Sequence, residues 1–376
     1  MFLWLCQRIS YGKHKASTKG MVINMRKLHP VKVGNLTLDG EKIYIQSMLN
    51  VLADDVEGNV RQAMALEAAG CEIIRVSVPT LKDVRLIEAI KNRISVPLVA
   101  DIHFDYKVAL ECAAAGVDKI RINPGNIGGM DRVKAVADAC RAKNIPIRIG
   151  VNSGSLEKNI LAEYGGPCAE ALVKSAVGHA RLLEQCDFND IVISIKSSDV
   201  KTMIAAYRLA AEQTEYPLHL GVTEAGTAHM GLIKSAVGIG SLLCDGIGET
   251  IRVSLTDDPV TEVAAAKDIL KAIGLGHGVK LVSCPTCGRT RIDIVGLARS
   301  VEAAVKDIPD DITVAVMGCA VNGPGEAAEA DIGIAGGDGC AVIFRKGKLL
   351  RKVREEDVLK ELLSEIDKLR EENRNC

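Results

Sequence analysis

Three cysteines and a set of strand-borne cations offer the most chemistry in this chain. Cys284 and Cys287 form a Cys-x-x-Cys pair. Cys319 follows in the glycine-rich run Met317-Gly-Cys-Ala-Val-Asn-Gly-Pro-Gly-Glu326. Two thiolates from one turn and a third from a remote loop can converge on a metal or a cluster. A structural zinc site usually closes with a second Cys-x-x-Cys or Cys-x-x-His pair. The chain has none: Cys340 is solitary and Cys376 is the terminus. A thioredoxin-like redox pair does not require Cys319, and the CxxxCxxC spacing of radical-type cluster binders is absent. Three thiolates with no obvious fourth suit an iron–sulfur cluster with one special iron. Its fourth ligand is then an oxygen donor such as Glu326, or a position open to substrate. On spacing alone, cluster, zinc site and redox pair all stay open.

The second set alternates along β-branched runs. Arg75 and Ser77 recur at period two, as do Arg121 and Asn123, then Arg148, Gly150 and Asn152, then Ser194 and Lys196, then Arg252 and Ser254. Residues at that period share one face of a strand. Four arginines and a lysine facing one interior need anions, because an uncompensated buried cation costs several kcal/mol, on the order of 3–5. Asp101 and Glu224 are the strand-end carboxylates able to supply some of that charge, and they do not balance five. A multiply charged phosphate ligand held by arginine forks fits better, and five cations suit a diphosphate more than one phosphate. Glu224, in Thr223-Glu-Ala-Gly226, is the acid/base candidate. His103, close to Asp101, reads as a structural hydrogen-bonding residue, and Asn126 and Asn152 add polar groups at strand ends.

The elements that position these residues follow one rhythm. Short runs are predicted as strands at 43–48, 73–78, 97–103, 119–123, 147–151, 191–196, 218–223 and 250–255, each followed by an Ala-rich amphipathic stretch. Gly70, Gly116 and Gly274 are expected as left-handed helix caps, and Asp258-Pro259 as an N-cap with Pro in the first helical position. Eight β-then-α units in some 250 residues is the arithmetic of a TIM barrel, whose ligand sites lie at the carboxyl ends of its strands. A doubly wound sheet is the competitor. The first turn, Gln46-Ser-Met-Leu-Asn50, contains no glycine and so no dinucleotide fingerprint. After Gly278 the pattern becomes α+β, with strands expected at 279–282, 312–317 and 331–334, a helix over 293–305, a hairpin around Lys346-Gly347 and an amphipathic terminal helix.

The 376 residues suffice for a barrel plus a smaller unit. Lys and Arg total 47 against 48 Asp and Glu, a net charge of −1 that excludes a nucleic-acid coat or a polybasic membrane binder. Aromatics, at 3%, leave little for base stacking. No apolar run approaches the ~20 residues of a membrane span. Cys71, Cys112, Cys140, Cys186 and Cys244 are expected as small core hydrophobes in a reducing, cytoplasmic compartment. Residues 1–24 read as an extension or a mis-assigned start, with Met21 or Met25 as alternative starts. Residues 25–277 then form the barrel, and 278–376 the cluster domain.

Longer motifs make a resemblance specific. Ser283-Cys-Pro-Thr-Cys-Gly-Arg-Thr290, Val316 to Ala327 and Ala330-Asp-Ile-Gly-Ile-Ala-Gly-Gly337 resemble the 4-hydroxy-3-methylbut-2-enyl diphosphate synthase family. So do Ile120 to Asn126, Ile147 to Asn152, Ser194 to Asp199 and Thr223 to Gly226, and the likeness spans about residues 25 to 370. It implies the bacterial two-domain form, a TIM barrel followed by a sulfite/nitrite-reductase-like α+β cluster domain. The implied reaction belongs to the non-mevalonate isoprenoid pathway: reductive ring opening and dehydroxylation of 2-C-methyl-D-erythritol 2,4-cyclodiphosphate. The resemblance implies a [4Fe-4S] cluster on Cys284, Cys287, Cys319 and Glu326. It further implies diphosphate contacts from Arg75, Arg121, Arg148, Lys196, Arg252 and Ser254, and an acid/base role for Glu224. Reduced flavodoxin or ferredoxin is the implied donor, and a homodimer, with one subunit's cluster domain capping the other's barrel, the implied assembly. The alternative is a zinc-dependent barrel lyase or transferase acting on a phosphorylated substrate.

Overall fold

The structure, a computed structural model, describes residues 26–319, 325 and 327–374. The expected extension over residues 1–24 therefore lies outside the described residues, as does Glu326.

Ten strands precede residue 255: β1 (Val31–Val33), β2 (Leu36–Leu38), β3 (Tyr44–Met48), β4 (Ile73–Ser77), β5 (Leu98–Asp101), β6 (Lys119–Ile122), β7 (Ile147–Asn152), β8 (Ile191–Lys196), β9 (His219–Leu220) and β10 (Thr250–Ile251). Strands β3 to β10 form one parallel eight-stranded sheet in the order β8-β7-β6-β5-β4-β3-β10-β9. An Ile193–Leu218 bridge between β8 and the start of β9 closes it into a barrel. One parity of each strand is aliphatic and packs on the helices: Ile74 and Val76, Ile120 and Ile122, Ile147, Ile149 and Val151, Ile193 and Ile195 are all buried there. Each such side chain contributes up to about 1.5–3 kcal/mol by leaving water. The opposite parity points into the bore and carries the polar residues.

Caps fix where the helices begin. Asp55, Asp105, Asp199 and Asp258 each accept a backbone N–H from the first turn that follows, at 2.7 to 2.9 Å. Such caps are worth about 1 kcal/mol each, and they set the length of the loops at the barrel's mouth. Pro259 opens the helix Pro259–Ala272. Gly70, Gly116 and Gly274 adopt φ of +87°, +82° and +77° and end their helices in the left-handed region, as their positions predicted.

Two features differ from the sequence reading. The β1–β2 hairpin, absent from that reading, turns on Gly34 at φ +58°. Its Val31, Val33 and Leu38 pack on Val192 and Tyr44, at the amino ends of β8 and β3. This plug leaves the carboxyl end as the open end of the bore. Strands β9 and β10 are two residues long, where six were expected. A Cβ at Gly221 would lie 2.8 Å from the Arg252 carbonyl oxygen, so the two segments crowd and leave the regular ladder there.

The remaining strands, β11 (Lys280–Ser283), β12 (Thr313–Met317), β13 (Ile332–Gly337), β14 (Cys340–Arg345) and β15 (Lys348–Arg354), lie side by side in chain order. The first three are parallel and the last two antiparallel hairpin strands. Lys346 and Gly347 both have positive φ, the type I′ geometry that suits a two-residue hairpin. Helices Ile294–Val305 and Val358–Arg374 cover one face through Val301, Val305, Leu362 and Ile366. This core is separate from the barrel's.

Candidate active site

Arg75, Arg121, Arg148, Asn152, Lys196 and Arg252 line a single cavity of ≈ 160 Å³, together with Met48, His103, Ser194 and Thr223. The inward parity of β4, β6, β7 and β8 brings them together, and Arg121 stands beside Arg148 in the β6–β7 register. Ser254 lies two residues beyond Arg252, and its buried Oγ has no hydrogen-bond partner. Glu224 follows Thr223 on the exposed rim, with φ +51°. A non-glycine residue held in that region costs on the order of 1–2 kcal/mol and recurs at functional sites.

One carboxylate organises the cations. Asp101, buried at the end of β5, meets Arg75 Nη2 at 2.5 Å, Arg121 Nη1 at 3.1 Å and His103 Nε2 at 3.1 Å. Burial alone would raise its carboxyl; Arg75, the His103 hydrogen bond and Arg121 outweigh it and hold the group well below the usual carboxylate range. His103 is thus a partner of this carboxylate as well as a lining residue. The second counter-charge is Glu262, not Glu224. Glu262 accepts from Ser47 Oγ at 2.9 Å and lies 3.5 Å from Arg252 Nε. Sequence reasoning missed it because it reaches in from the helix Pro259–Ala272, outside the strand alternation.

Lys119 was missed as well, although it shares the inward parity of Arg121. It lies at the amino end of β6, below the cavity, and is 0% exposed. Six basic side chains (Arg75, Lys119, Arg121, Arg148, Lys196 and Arg252) therefore face two carboxylates in and around the bore. The imbalance depresses the bases. Burial, then repulsion from Arg75 and Arg121, pushes the Arg148 guanidinium down. Burial, then Arg252 and Arg75, does the same to Lys196. Arg148 Nε and Arg75 Nε have no hydrogen-bond partner. Donors aimed at a shared space with no acceptor form an anion receptor, and guanidinium forks match phosphate oxygens in pairs.

A half-buried pair steadies the rim. Glu157, beyond the Asn152 loop, joins His179 Nε2 at 2.6 Å and Ser175 Oγ at 2.8 Å, both on the helix Ala169–Glu184. A Cβ at Gly125 would stand 2.9 Å from that same His179 Nε2, so the loop after β6 rests on it too.

The sulfurs lie in the second unit. Cys284 follows β11, and its Sγ accepts the Gly318 N–H at 3.2 Å, next to Cys319. Arg291 N–H donates to the Gly318 carbonyl at 2.9 Å, and Thr290 N–H to that of Cys287 at 3.0 Å, which ties the Cys-x-x-Cys turn to the end of β12. Backbone and side-chain hydrogen bonds from Arg289 push the exposed Cys287 thiol down, toward thiolate. Among the described residues no three His, Cys, Asp or Glu side chains are gathered to hold a metal ion. Cys71, Cys112, Cys140 and Cys186 are buried as expected, but Cys244 is exposed. It ends the helix Ala228–Cys244, which packs inward on small residues such as Gly231 and Gly238 and turns Met230, Ile233 and Val237 outward. Apolar spacing alone could not distinguish the two faces.

Fold and cavity together define a TIM-barrel protein with a basic cavity suited to a polyanion at its mouth and a cysteine-bearing second unit. The GcpE TIM-barrel domain profile matches residues 28–267, and the GcpE protein C-terminal domain profile matches residues 280–368. A relative from Clostridium perfringens, 4-hydroxy-3-methylbut-2-en-1-yl diphosphate synthase (flavodoxin), is 55% identical over 92% of this chain and 99% of its own. Proteins of the same name from Caldanaerobacter subterraneus (56% identical; 93% of this chain, 99% of the relative) and Geobacillus kaustophilus (55%; 94% and 95%) match equally broadly. The chain belongs to the GcpE family. That membership favours the reductive diphosphate synthase over the zinc lyase.

Proposed function

We propose that this protein converts 2-C-methyl-D-erythritol 2,4-cyclodiphosphate to 4-hydroxy-3-methylbut-2-enyl diphosphate. Two electrons and two protons balance the ring opening and the loss of one hydroxyl as water. The observation that carries the reading is the cavity itself: four arginines and a lysine line it, with guanidinium N–H groups left without acceptors. Arg75, Arg121, Arg148, Lys196 and Arg252 grip the diphosphate. Ser254 Oγ and Asn152 add neutral hydrogen bonds that fix its orientation. The same cations stay in place as negative charge builds on the departing oxygen, without reorganising. Glu224, on the rim at the edge of the cavity, is the acid/base group of the reaction.

Cys284, Cys287, Cys319 and Glu326 would hold a [4Fe-4S] cluster. The donor chemistry fits: an N–H donated to Cys284 Sγ and a Cys287 thiol pushed toward thiolate both suit cluster ligands. When bound, such a cluster supplies low-potential electrons and a Lewis-acidic iron. Reduced flavodoxin, as in the relatives' names, or ferredoxin would deliver the electrons. Exposed apolar residues on the mouth loops, Leu52, Phe104 and Met130, support a homodimer in which the partner's cluster domain caps this barrel; Phe104 is 72% exposed. Every described cysteine is free, in keeping with a reducing cytoplasm. Among the described residues no helix is long and apolar enough to cross a membrane.

The test is anaerobic purification with iron and acid-labile sulfide analysis, followed by turnover of the cyclic diphosphate with a reduced donor. Linear hydroxymethylbutenyl diphosphate is the expected product. An iron-free protein, or an iron-loaded one that leaves the cyclic diphosphate intact, would refute the proposal.

A further inference from the structure

One basic residue in the bore has no part in the roles above. Lys119 is fully buried, and its Nζ has no hydrogen-bond partner. Its neighbour in register on β5 is the aliphatic Val99. The titratable groups that share the bore with it are Arg75 on β4, Asp101 on β5, Arg121 on β6, Arg148 on β7, Lys196 on β8, His219 on β9 and Arg252 beyond β10. Of these, Arg148 and Arg75 bear on it, and it bears on His219. Asp101 is engaged by Arg75, Arg121 and His103, and Glu262 by Ser47 and Arg252, so neither carboxylate bonds Lys119. Burial, then repulsion from Arg148 and Arg75, drives this amine toward its neutral form in the ligand-free protein. His219 is pushed the same way, with its Nδ1 already paired to Thr250 Oγ1 at 2.8 Å.

We propose that Lys119 takes up one proton when a diphosphate seats above it, so that ligand binding and protonation of its Nζ are one coupled event. The inference rests on the diphosphate reading. Its basis is the charge count. In the empty bore an ammonium at Lys119 faces like charge and no free acceptor. A seated diphosphate brings at least two negative charges to Arg75 and Arg148, the two groups that repel it. The proton comes from the buffer: the Nζ lone pair forms the new N–H bond, the buffer acid loses its own, and no electron changes centre. When the ligand leaves, the proton returns. Lys119 thus senses ligand charge without touching the ligand, which favours polyanions over neutral molecules of similar shape.

Calorimetric titration of the oxidised holoenzyme with the cyclic diphosphate tests this, without reductant and near neutral pH. Each phosphorus of that ligand carries a single strongly acidic hydroxyl, so the ligand does not itself titrate in this range. Binding enthalpies measured in buffers of different ionisation enthalpy yield the number of protons exchanged. We expect proton uptake on binding, with Lys119 accounting for about one proton per site beyond any taken up by Lys196, whose amine is depressed in the same way, and an affinity that falls as pH rises. Lys119→Met, with Lys119→Gln as the second variant, should lower the uptake by about one proton and weaken binding about tenfold at the acidic end of the range. Tight wild-type binding with no proton uptake, or uptake undiminished in the variants, overturns the inference. The wild-type measurement needs no variant, so one that fails to fold leaves the test standing. If the iron-loaded wild type does not bind the ligand at all, the diphosphate reading falls, and this inference with it.

Discussion

Replacing Asp101 by Asn should move stability and ligand affinity in opposite directions. The carboxylate is 1% exposed and holds Arg75, Arg121 and His103 at 2.5, 3.1 and 3.1 Å. Removing one partner of a buried ion pair costs roughly 3–5 kcal/mol, because the other charge stays buried without its counterpart. For a barrel of this size that lowers the melting midpoint by roughly 6 to 20 °C. Six basic groups would then face only Glu262. An anion seated ~8 Å from the lost carboxylate, at an effective dielectric of about 20, gains about 2 kcal/mol, or roughly thirtyfold in affinity. Thermal melting with and without the cyclic diphosphate, plus calorimetric titration, reads both effects. The variant should melt earlier when empty and show a larger ligand-induced rise than wild type. Unchanged stability together with weaker binding would refute the charge argument. Acid titration reads the same carboxylate. The folded-state pKa of Asp101 is depressed, so its stabilisation is fully present above its unfolded value of about 4 and is lost as pH falls toward the lower folded value.

Other substitutions separate binding, chemistry and cofactor. Arg148→Met removes a buried cation that no carboxylate pairs with, its Nη1 donating only to Gln46 Oε1 at 3.5 Å, but keeps much of its bulk. The ligand-free barrel should melt no earlier, while diphosphate affinity falls about 10- to 100-fold by titration; unchanged affinity would remove Arg148 from the pocket. Glu224→Gln should lower turnover with little change in KM, and wild-type turnover would end its acid/base role. Glu224→Gly should raise the melting midpoint, because glycine accepts φ +51° without the ~1 kcal/mol strain, and lower activity as the Gln variant does. Cys319→Ser should yield protein lacking iron and acid-labile sulfide; a brown, active variant would contradict the ligand assignment.

The strands were legible because inward cations and outward aliphatics alternate so regularly. Residues 191–196 were predicted to the residue, and β4 and β6 within one. The misses have physical causes. Strands β9 and β10 shorten where Gly221 crowds the Arg252 carbonyl, a contact between two segments distant in sequence that neither segment's own pattern reveals. The β1–β2 hairpin is too short for its alternation to register. Lys119 sat in plain view at the inward parity of Arg121, but at the strand's start rather than its catalytic end. Glu262 acts from a helix face, and the partnership of Asp101 with His103 depends on rotamers. Spacing named Cys284, Cys287 and Cys319 as candidate donors, but spacing alone carries no information on their three-dimensional arrangement.

Position 150 shows how little separates a working receptor from a blocked one. Gly150 lies on the inner face of β7, and its carbonyl accepts from Arg121 Nη2 at 3.3 Å. A methyl group there would stand 2.6 Å from Arg121 Cζ and intrude on the guanidinium itself. The guanidinium would swing away, taking one arm of the Asp101 bridge with it, and Asp101 would turn toward the cavity. An effort to widen this enzyme's substrate range should therefore vary the rim and leave that bare backbone hydrogen untouched, since the berth it creates is as much a part of the recognition device as the arginine occupying it.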